Sequence, residues 1–230
     1  MKKVLDNERK NAKLNELYHE KTREFLEAWH KHYNFKSIER INEFGIINVD
    51  CYDADNGILF IGKETNGWDY SEGITFRQWV EKMAKHNVVS GKIAAKHPQI
   101  WYNLSRWAIF ITNPQIDKSE LVKSKDISGL KRVAITNFNK AEGESASGKE
   151  FWNLIKEDIV VCLLSREIDI IKPNLIVLCG MKKNYIPQIV QKIDRRIKII
   201  EMPHPSARNI SKMDMILRLE NELKKVEWSD

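Results

Sequence analysis

The chain has 230 residues, 42% of them hydrophobic and 30% charged, and its formal net charge at pH 7 is +6. This is the composition of an ordinary soluble globular protein with a substantial core, and no apolar run is long enough to span a bilayer. The first residues lead into charged sequence without an apolar signal segment, so the expected location is the cytoplasm. The positive charge favours a polyanionic partner such as DNA or RNA.

The three cysteines, Cys51, Cys162 and Cys179, are far apart and form no Cys-x-x-Cys pair. We therefore expect reduced thiols in the core, with no disulfide, no metal site and no iron–sulfur cluster. No cofactor is expected either.

Residues from about 6 to 33 carry an apolar stripe at helical spacing, which predicts that residues 1–50 are a mostly helical N-terminal extension. Beyond it, apolar runs alternate with amphipathic segments. In chain order, the pattern predicts a strand at 58–61, helices at 75–86 and 100–111, a polar surface connection at 113–129, a strand at 133–136, a long helix at 151–171, a strand at 175–179, a helix at 184–193, a strand at 197–202 and a helix at 209–226.

The four predicted strands are apolar on both faces and alternate with helices, which is typical of a parallel sheet covered on both sides. We predict an α/β fold and a single domain over residues 1–230. Its three α/β/α layers are expected to surround a central four-stranded parallel sheet. Right-handed crossovers place the carboxyl ends of all four strands at one edge, where open sheets of this kind bind ligands.

Polar side chains follow three of the predicted strands where each strand ends. Glu64 comes after the first strand, Asn137 ends the second, and His204 follows the fourth between two prolines. Each proline fixes its own φ and restricts the residue before it, so His204 is expected to be held rigidly. A carboxylate, an amide and an imidazole are therefore expected to converge at one edge of the sheet.

Five segments of the chain form an ordered set of motifs: Gly62-Lys63-Glu64, Gly73-Ile74-Thr75-Phe76, the strand end Ile135–Lys140, the strand Ile171–Gly180 and His204-Pro205-Ser206. In this order they resemble the motifs of the uracil-DNA glycosylase superfamily, of which the chain would be a divergent member. They span roughly residues 58 to 208. The first 57 residues and the region 85–130 have no counterpart in the resemblance.

The resemblance implies hydrolysis of the N-glycosidic bond of uracil or another deaminated base in DNA, by a monomer. Glu64 would orient the attacking water and His204 would stabilise the departing base, while Asn137 would read the edge of the pyrimidine. The implied substrate-binding residues are Gly62, Lys63, Asn66, Trp68, Phe76, Asn137, Ser206 and Arg208. Among these, Phe76 or Trp68 would stack on a base turned out of the helix, and Ser206 would contact a phosphate. Lys63, Lys140 and Arg208 are expected to make the mouth of the site basic.

The first motif departs from the family pattern, because Glu64-Thr65 stands where an Asp-Pro or Asn-Pro pair is usual. The longer side chain moves the carboxylate by about one bond length, which matters for a group that must position a water. Asn66 is an alternative for this polar role. A catalytically weak or inert nucleic-acid-binding module with the same fold is therefore an alternative function.

A second alternative, nucleotide binding, arises from residues 143–149, which match Gly-x4-Gly-Lys between a strand and a helix. However, Glu150 stands where a Ser or Thr would hold Mg²⁺, and Glu142 and Glu144 would repel phosphates. The alternative interpretation, without a ligand, is that this segment is a polar loop before a helix.

Overall fold

The computed structural model describes residues 24, 27–32, 45–63, 65–66, 75–90, 97–140, 142–143, 149–154, 156–185, 189 and 197–226. Most of the predicted N-terminal extension therefore lies outside the described residues, and so does most of the helix predicted at 184–193. Residues 27–32 form a helix, α1, in which Trp29 is fully buried.

The described strands are β1 (Gly45–Ile46), β2 (Ile58–Gly62), β3 (Thr65–Asn66), β4 (Val133–Asn137), β5 (Glu142–Gly143), β6 (Leu175–Cys179) and β7 (Lys198–Met202). The main sheet has five strands in the order β1-β4-β2-β6-β7. The four predicted strands are present and parallel to one another. The prediction of a four-stranded, purely parallel sheet is nevertheless wrong, because β1 pairs antiparallel with β4. A two-residue strand leaves no alternation from which it can be predicted.

The described helices after α1 are α2 (Phe76–His86), α3 (Pro98–Thr112), α4 (Lys118–Lys123), α5 (Lys149–Leu154), α6 (Asp158–Ile171) and α7 (Lys212–Lys225). Several of their ends follow from local chemistry. The Thr75 hydroxyl accepts a hydrogen bond from the Gln78 N–H (3.3 Å), and the Gln78 side chain accepts one from the Thr75 N–H (3.0 Å), which caps α2. Lys172 adopts a left-handed conformation (φ 51°) before Pro173, where α6 stops as predicted.

Two predicted segments are corrected by the structure. The connection predicted at 113–129 contains α4, which Asp117 caps by accepting from the Ser119 N–H (2.7 Å) and which buries Leu121. The single helix predicted at 151–171 is two helices, because Glu157 is extended (φ −69°, ψ 129°) and interrupts the hydrogen-bond ladder. Neither proline nor glycine marks this break in the sequence.

Helices pack on both faces of the main sheet. Along β2, Ile58 and Phe60 join a core with side chains of α2, α3 and α7, whereas Leu59 and Ile61 join a second core with Trp29 of α1 and side chains of α6. Alternation along a strand sends neighbouring side chains to opposite faces, and each buried apolar side chain contributes about 1.5–3 kcal/mol. The edges of the sheet are then the places at which a ligand can meet the strands.

The strand order places this protein's topological switch beside β2. From β2 the chain passes to β4 on one side and later to β6 on the other. The loops that leave β2 on the way to β4 and those that leave β6 on the way to β7 therefore diverge at the carboxyl edge. This is the position at which open α/β sheets form a binding crevice.

The cysteines are not all in the core. Cys179 is buried at the end of β6, as expected, but Cys162 is half-buried and Cys51 is exposed in the turn that precedes β2. The expectation of a core thiol is therefore wrong for Cys51.

Candidate active site

Backbone hydrogen bonds join the loops that leave β2 and β4. The N–H groups of Phe138 and Asn139 donate to the carbonyl oxygens of Gly62 (3.0 Å) and Lys63 (2.8 Å). Beyond these bonds, β3 and β5 pair as a short parallel ribbon. The segment that carries Asn137 is thereby held beside the segment that carries Lys63.

Asn137 ends β4 directly opposite Gly62 of β2. A Cβ atom at position 62 would lie 2.3 Å from Asn137 Oδ1, so glycine leaves the room that this carboxamide occupies. Asn137 is 8% exposed, and its carboxamide has no hydrogen-bond partner among the described residues. Because a nearly buried amide needs partners, this group is suited to binding a ligand or water.

His204 lies against the end of β6. Gly180 follows β6, and its N–H donates to the Met202 carbonyl oxygen (2.8 Å). The φ of Gly180 is +75°, a conformation that favours glycine. A Cβ atom on Gly180 would also lie 3.1 Å from the His204 Cβ. His204 and Asn137 therefore follow parallel strands at the same edge of the sheet, as predicted.

The hydrogen bonds of His204 favour one position for the ring proton. The Ser206 backbone N–H donates to His204 Nδ1 (3.3 Å), and the Ser206 hydroxyl oxygen lies 2.7 Å from the same nitrogen. Because a backbone N–H can only donate, its contact favours the neutral tautomer in which Nδ1 accepts and the proton is on Nε2. Among the described residues, Nε2 has no hydrogen-bond partner.

Electrostatics keep His204 uncharged. The surrounding protein desolvates part of its ring, and the positive charges of Lys63 and His97 oppose another cation nearby, so the pKa of His204 is below its ordinary value of 6.5. The rest of the side chain is exposed to solvent. At pH 7 the residue is therefore a neutral imidazole with an N–H donor at Nε2.

Lys63 places a positive charge close to His204. The Lys63 Nζ lies 5.4 Å from the ring centroid of Trp152, at cation–π distance. His97 immediately precedes α3, and Arg208 is exposed in the turn after the His204 loop. Trp152 and His97 were not singled out in the sequence, because only the folded chain brings them to Lys63 and His204.

The structure places the other predicted site residues as follows. Phe76 is 7% exposed and packs in the core, with its ring centroid 6.0 Å from those of Trp79 and Trp101. Its stacking on a base stays a prediction. Glu64 and Trp68 lie outside the described residues, as do the Asn66 side chain and residues 144–148 of the Gly-x4-Gly-Lys segment. Ser206 contacts His204, so its predicted phosphate contact also stays a prediction.

Lys140 does not belong to the mouth of the site, and that expectation is wrong. Its side chain is 0% exposed, and its Nζ donates to Glu167 Oε2 (2.8 Å) and to the Thr136 hydroxyl. Glu167 also accepts hydrogen bonds from the Trp29 indole (2.9 Å) and the Thr136 hydroxyl (3.0 Å). A lysine enclosed in this way cannot reach a phosphate, and its role is to join β4, α6 and α1.

Two further findings concern the described part of the chain only. Its helices include none long and apolar enough to cross a bilayer. Within the same residues, His, Cys, Asp and Glu side chains form no group of three or more that could hold a metal ion.

Replacing Gly62 with alanine is expected to displace the Asn137 carboxamide, since the new Cβ would overlap Oδ1. Because a side chain of this kind can rotate away, we expect a small loss of stability and a clear loss of ligand binding at the edge. Thermal unfolding and binding of a uracil-containing single-stranded oligonucleotide measure the two effects. As a control, Asn56→Ala removes an exposed asparagine of the turn before β2. Wild-type binding by Gly62→Ala would show that Asn137 does not contact the ligand.

No protein-family model matches the chain, and no curated protein matches its sequence.

Proposed function

We propose that this protein hydrolyses the N-glycosidic bond between deoxyribose and uracil, or another deaminated base, in DNA. The observation that carries the proposal is the placement at one edge of the sheet of a neutral His204, with its proton on Nε2, and of Asn137, whose nearly buried carboxamide has no hydrogen-bond partner among the described residues. The imidazole N–H of His204 suits a developing anion, and the carboxamide of Asn137 suits the edge of a base. Asn137 ends β4 and His204 follows β7, the strands that flank β2 and β6 of the switch point, and both lie at the edge where a ligand is expected.

His204 would act on the leaving group. When the glycosidic bond breaks, the sugar becomes positive and the departing uracil becomes negative. A neutral imidazole N–H can donate to the anionic O2 without losing its proton, and a prearranged donor of this kind accelerates a reaction by about 100- to 1,000-fold. The lowered pKa of His204 favours this neutral form at pH 7.

Asn137 would select the base. Its carboxamide can donate to uracil O4 and accept from N3–H, whereas cytosine offers a donor at the first position and an acceptor at the second. A buried polar site rejects a mismatched base strongly, because its own groups are left without partners. The small exposure of Asn137 makes such a mismatch costly.

A carboxylate is still needed to orient water and to offset the positive charge on the sugar. We assign this role to Glu64, which directly follows Lys63 in the β2 loop. The backbone bonds between this loop and the β4 loop support the assignment, because they hold Lys63 beside the segment that carries Asn137.

DNA is the proposed partner, bound through its phosphates. The net charge of +6 and the exposed Arg208 favour a polyanion, and Lys63 adds a charge close to His204. We further infer a single three-layer α/β/α domain that acts in the cytoplasm as a monomer without a cofactor. The target base would leave the helix to reach Asn137, so that the site would receive one nucleotide.

Base release from oligonucleotides tests the proposal. Single- and double-stranded DNA with one uracil, one hypoxanthine or one cytosine is incubated with the protein and then cleaved with alkali. We expect release of uracil or hypoxanthine but not of cytosine, and Asn137→Asp should weaken the preference for uracil because an acceptor replaces the donor to O4.

The negative outcome is also informative. If the wild-type protein releases none of these bases, the proposed activity is wrong. Salt-sensitive DNA binding in the same preparation would then identify a binding module with this fold, because each neutralised phosphate releases counterions.

A further inference from the structure

A chain of buried hydrogen bonds runs from α3 to the His204 loop. Arg106 Nη1 donates to Asn103 Oδ1 (2.8 Å), and Asn103 Nδ2 donates to the Pro205 carbonyl oxygen (2.7 Å). Asn103 is 5% exposed and Arg106 is 1% exposed. Because a guanidinium has only donors, Asn103 must present its oxygen to Arg106 and its NH₂ group to Pro205.

The next link is the peptide group between Pro205 and Ser206. Its carbonyl oxygen accepts from Asn103, and its N–H donates to His204 Nδ1 (3.3 Å). The carbonyl and N–H of a trans peptide are coplanar and point in opposite directions. A side chain that holds the carbonyl on one side therefore directs the N–H towards His204 on the other.

Arg106, the first donor in this series of hydrogen bonds, is unusual because it is a buried cation. Its other donors bond to the carbonyl oxygens of Leu121 (3.2 Å) and Ser124 (2.5 Å), and within the described residues no carboxylate pairs with it. Burial lowers its pKa, but a guanidinium stays protonated at neutral pH. A buried cation polarises the amides in line with it, so that each N–H becomes a stronger donor to the next acceptor.

We propose that Asn103 and Arg106 are positioning residues, which hold the Pro205–Ser206 peptide so that His204 keeps its proton on Nε2. This inference rests on the proposed function only for the catalytic use of that proton. The tautomer itself is a property of the free protein and can be measured without a substrate.

Asn103→Asp is the decisive variant. Its carboxylate still accepts from Arg106, but it cannot donate to the Pro205 carbonyl oxygen and instead repels it. We expect the ¹⁵N signals of the His204 ring to change from an Nε2–H pattern to a mixture of both tautomers. Base release should slow by about tenfold, with KM little changed, since groups that orient a reacting residue have effects of this size.

A matched control removes a different buried hydrogen-bonding side chain. The Ser165 hydroxyl donates to the Val161 carbonyl oxygen (2.6 Å) and lies 3.0 Å from that of Ile189, in the core on the opposite face of the sheet. Ser165→Ala should reduce stability but leave the His204 signals and the rate of base release as in the wild type.

Conservative replacements complete the test. Arg106→Lys keeps the charge and a donor for Asn103 and should retain the Nε2–H pattern, whereas Arg106→Met should lose it. Should Asn103→Asp fail to fold, Asn103→Ser removes the carboxamide that donates to the Pro205 carbonyl oxygen without adding a charge, and the same change in the His204 signals is expected.

The outcomes are separable from those of the proposed function. Wild-type ¹⁵N signals of His204 in folded Asn103→Asp or Asn103→Ser protein would overturn the positioning role, whatever the activity. If the wild type releases no base but the variants still shift the His204 tautomer, the positioning role stands and only the proposed function is wrong.

Discussion

Replacing His204 with alanine is expected to slow uracil release by about 100-fold or more, the effect of losing one prearranged donor to a developing anion. The fold should be retained, because part of the His204 side chain is exposed and its hydrogen bonds are confined to Ser206 within the described residues. Single-turnover release at saturating protein measures the loss directly, since it separates chemistry from product release.

The matched control for this variant is His97→Ala. His97 is close enough for its charge to influence His204, but no hydrogen bond joins the two side chains. The control should therefore retain a rate close to that of the wild type at pH 7. If His204→Ala also retains that rate, the departing base is stabilised by another group.

The pH dependence of base release should show the charge state of His204. Its pKa lies below 6.5, so the neutral form is present at pH 7 and is lost as the pH falls through the lowered pKa. A protonated ring carries hydrogen on Nδ1, which then faces the Ser206 N–H instead of accepting from it. We expect the rate to fall on the acid side of the profile and His204→Ala to lack that decrease.

Replacing Lys140 with methionine is expected to destabilise the protein by about 3–5 kcal/mol, the usual cost of removing one partner of a buried ion pair. Glu167 would remain enclosed without its counter-charge and would keep the hydrogen bonds from Trp29 and Thr136. Urea unfolding at pH 7 measures this loss as a lower midpoint with an unchanged slope. The exposed Lys125→Met serves as the control, because it removes a lysine without leaving a buried charge.

The loss in Lys140→Met should depend on pH. Burial raises the pKa of Glu167 from its ordinary value of 4.5. The charge of Lys140, and the hydrogen bonds that Glu167 accepts from Lys140, Trp29 and Thr136, oppose this rise. Without Lys140 the folded protein keeps a proton on Glu167 at a pH where the unfolded chain has released it. The free energy of unfolding of the variant should therefore decrease as the pH rises above about 4.5.

A double variant separates the ion pair from its surroundings. In Lys140→Met with Glu167→Gln, the carboxamide oxygen can still accept from the Trp29 indole, and neither position of the former pair carries a charge. Most of the lost stability should return, and the pH dependence should disappear. If the single variant is as stable as the wild type, the pair contributes nothing to the connection between β4, α6 and α1.

The amino-acid sequence alone predicted the four parallel strands, both ends of α2, the last residue of α6 and the shared edge of the sheet to which Asn137 and His204 lead. These features depend on neighbours along the chain: apolar runs such as Ile58–Ile61, the Thr75 cap and the proline after Lys172. The positions of Gly62, Asn137 and His204 then follow, since the carboxyl ends of parallel strands share one edge.

Only the tertiary structure decided which polar groups serve the site and which serve the core. The position of Lys140 in the sequence predicts a surface charge, but the residue is buried in an ion pair with Glu167, 27 residues further along the chain. The Trp29 indole also bonds to Glu167, and these two residues are 138 positions apart. Likewise, Asn103 bonds to Pro205 across 102 residues. Partners this distant leave no periodicity or local motif, because their contact depends on how the helices pack against the sheet.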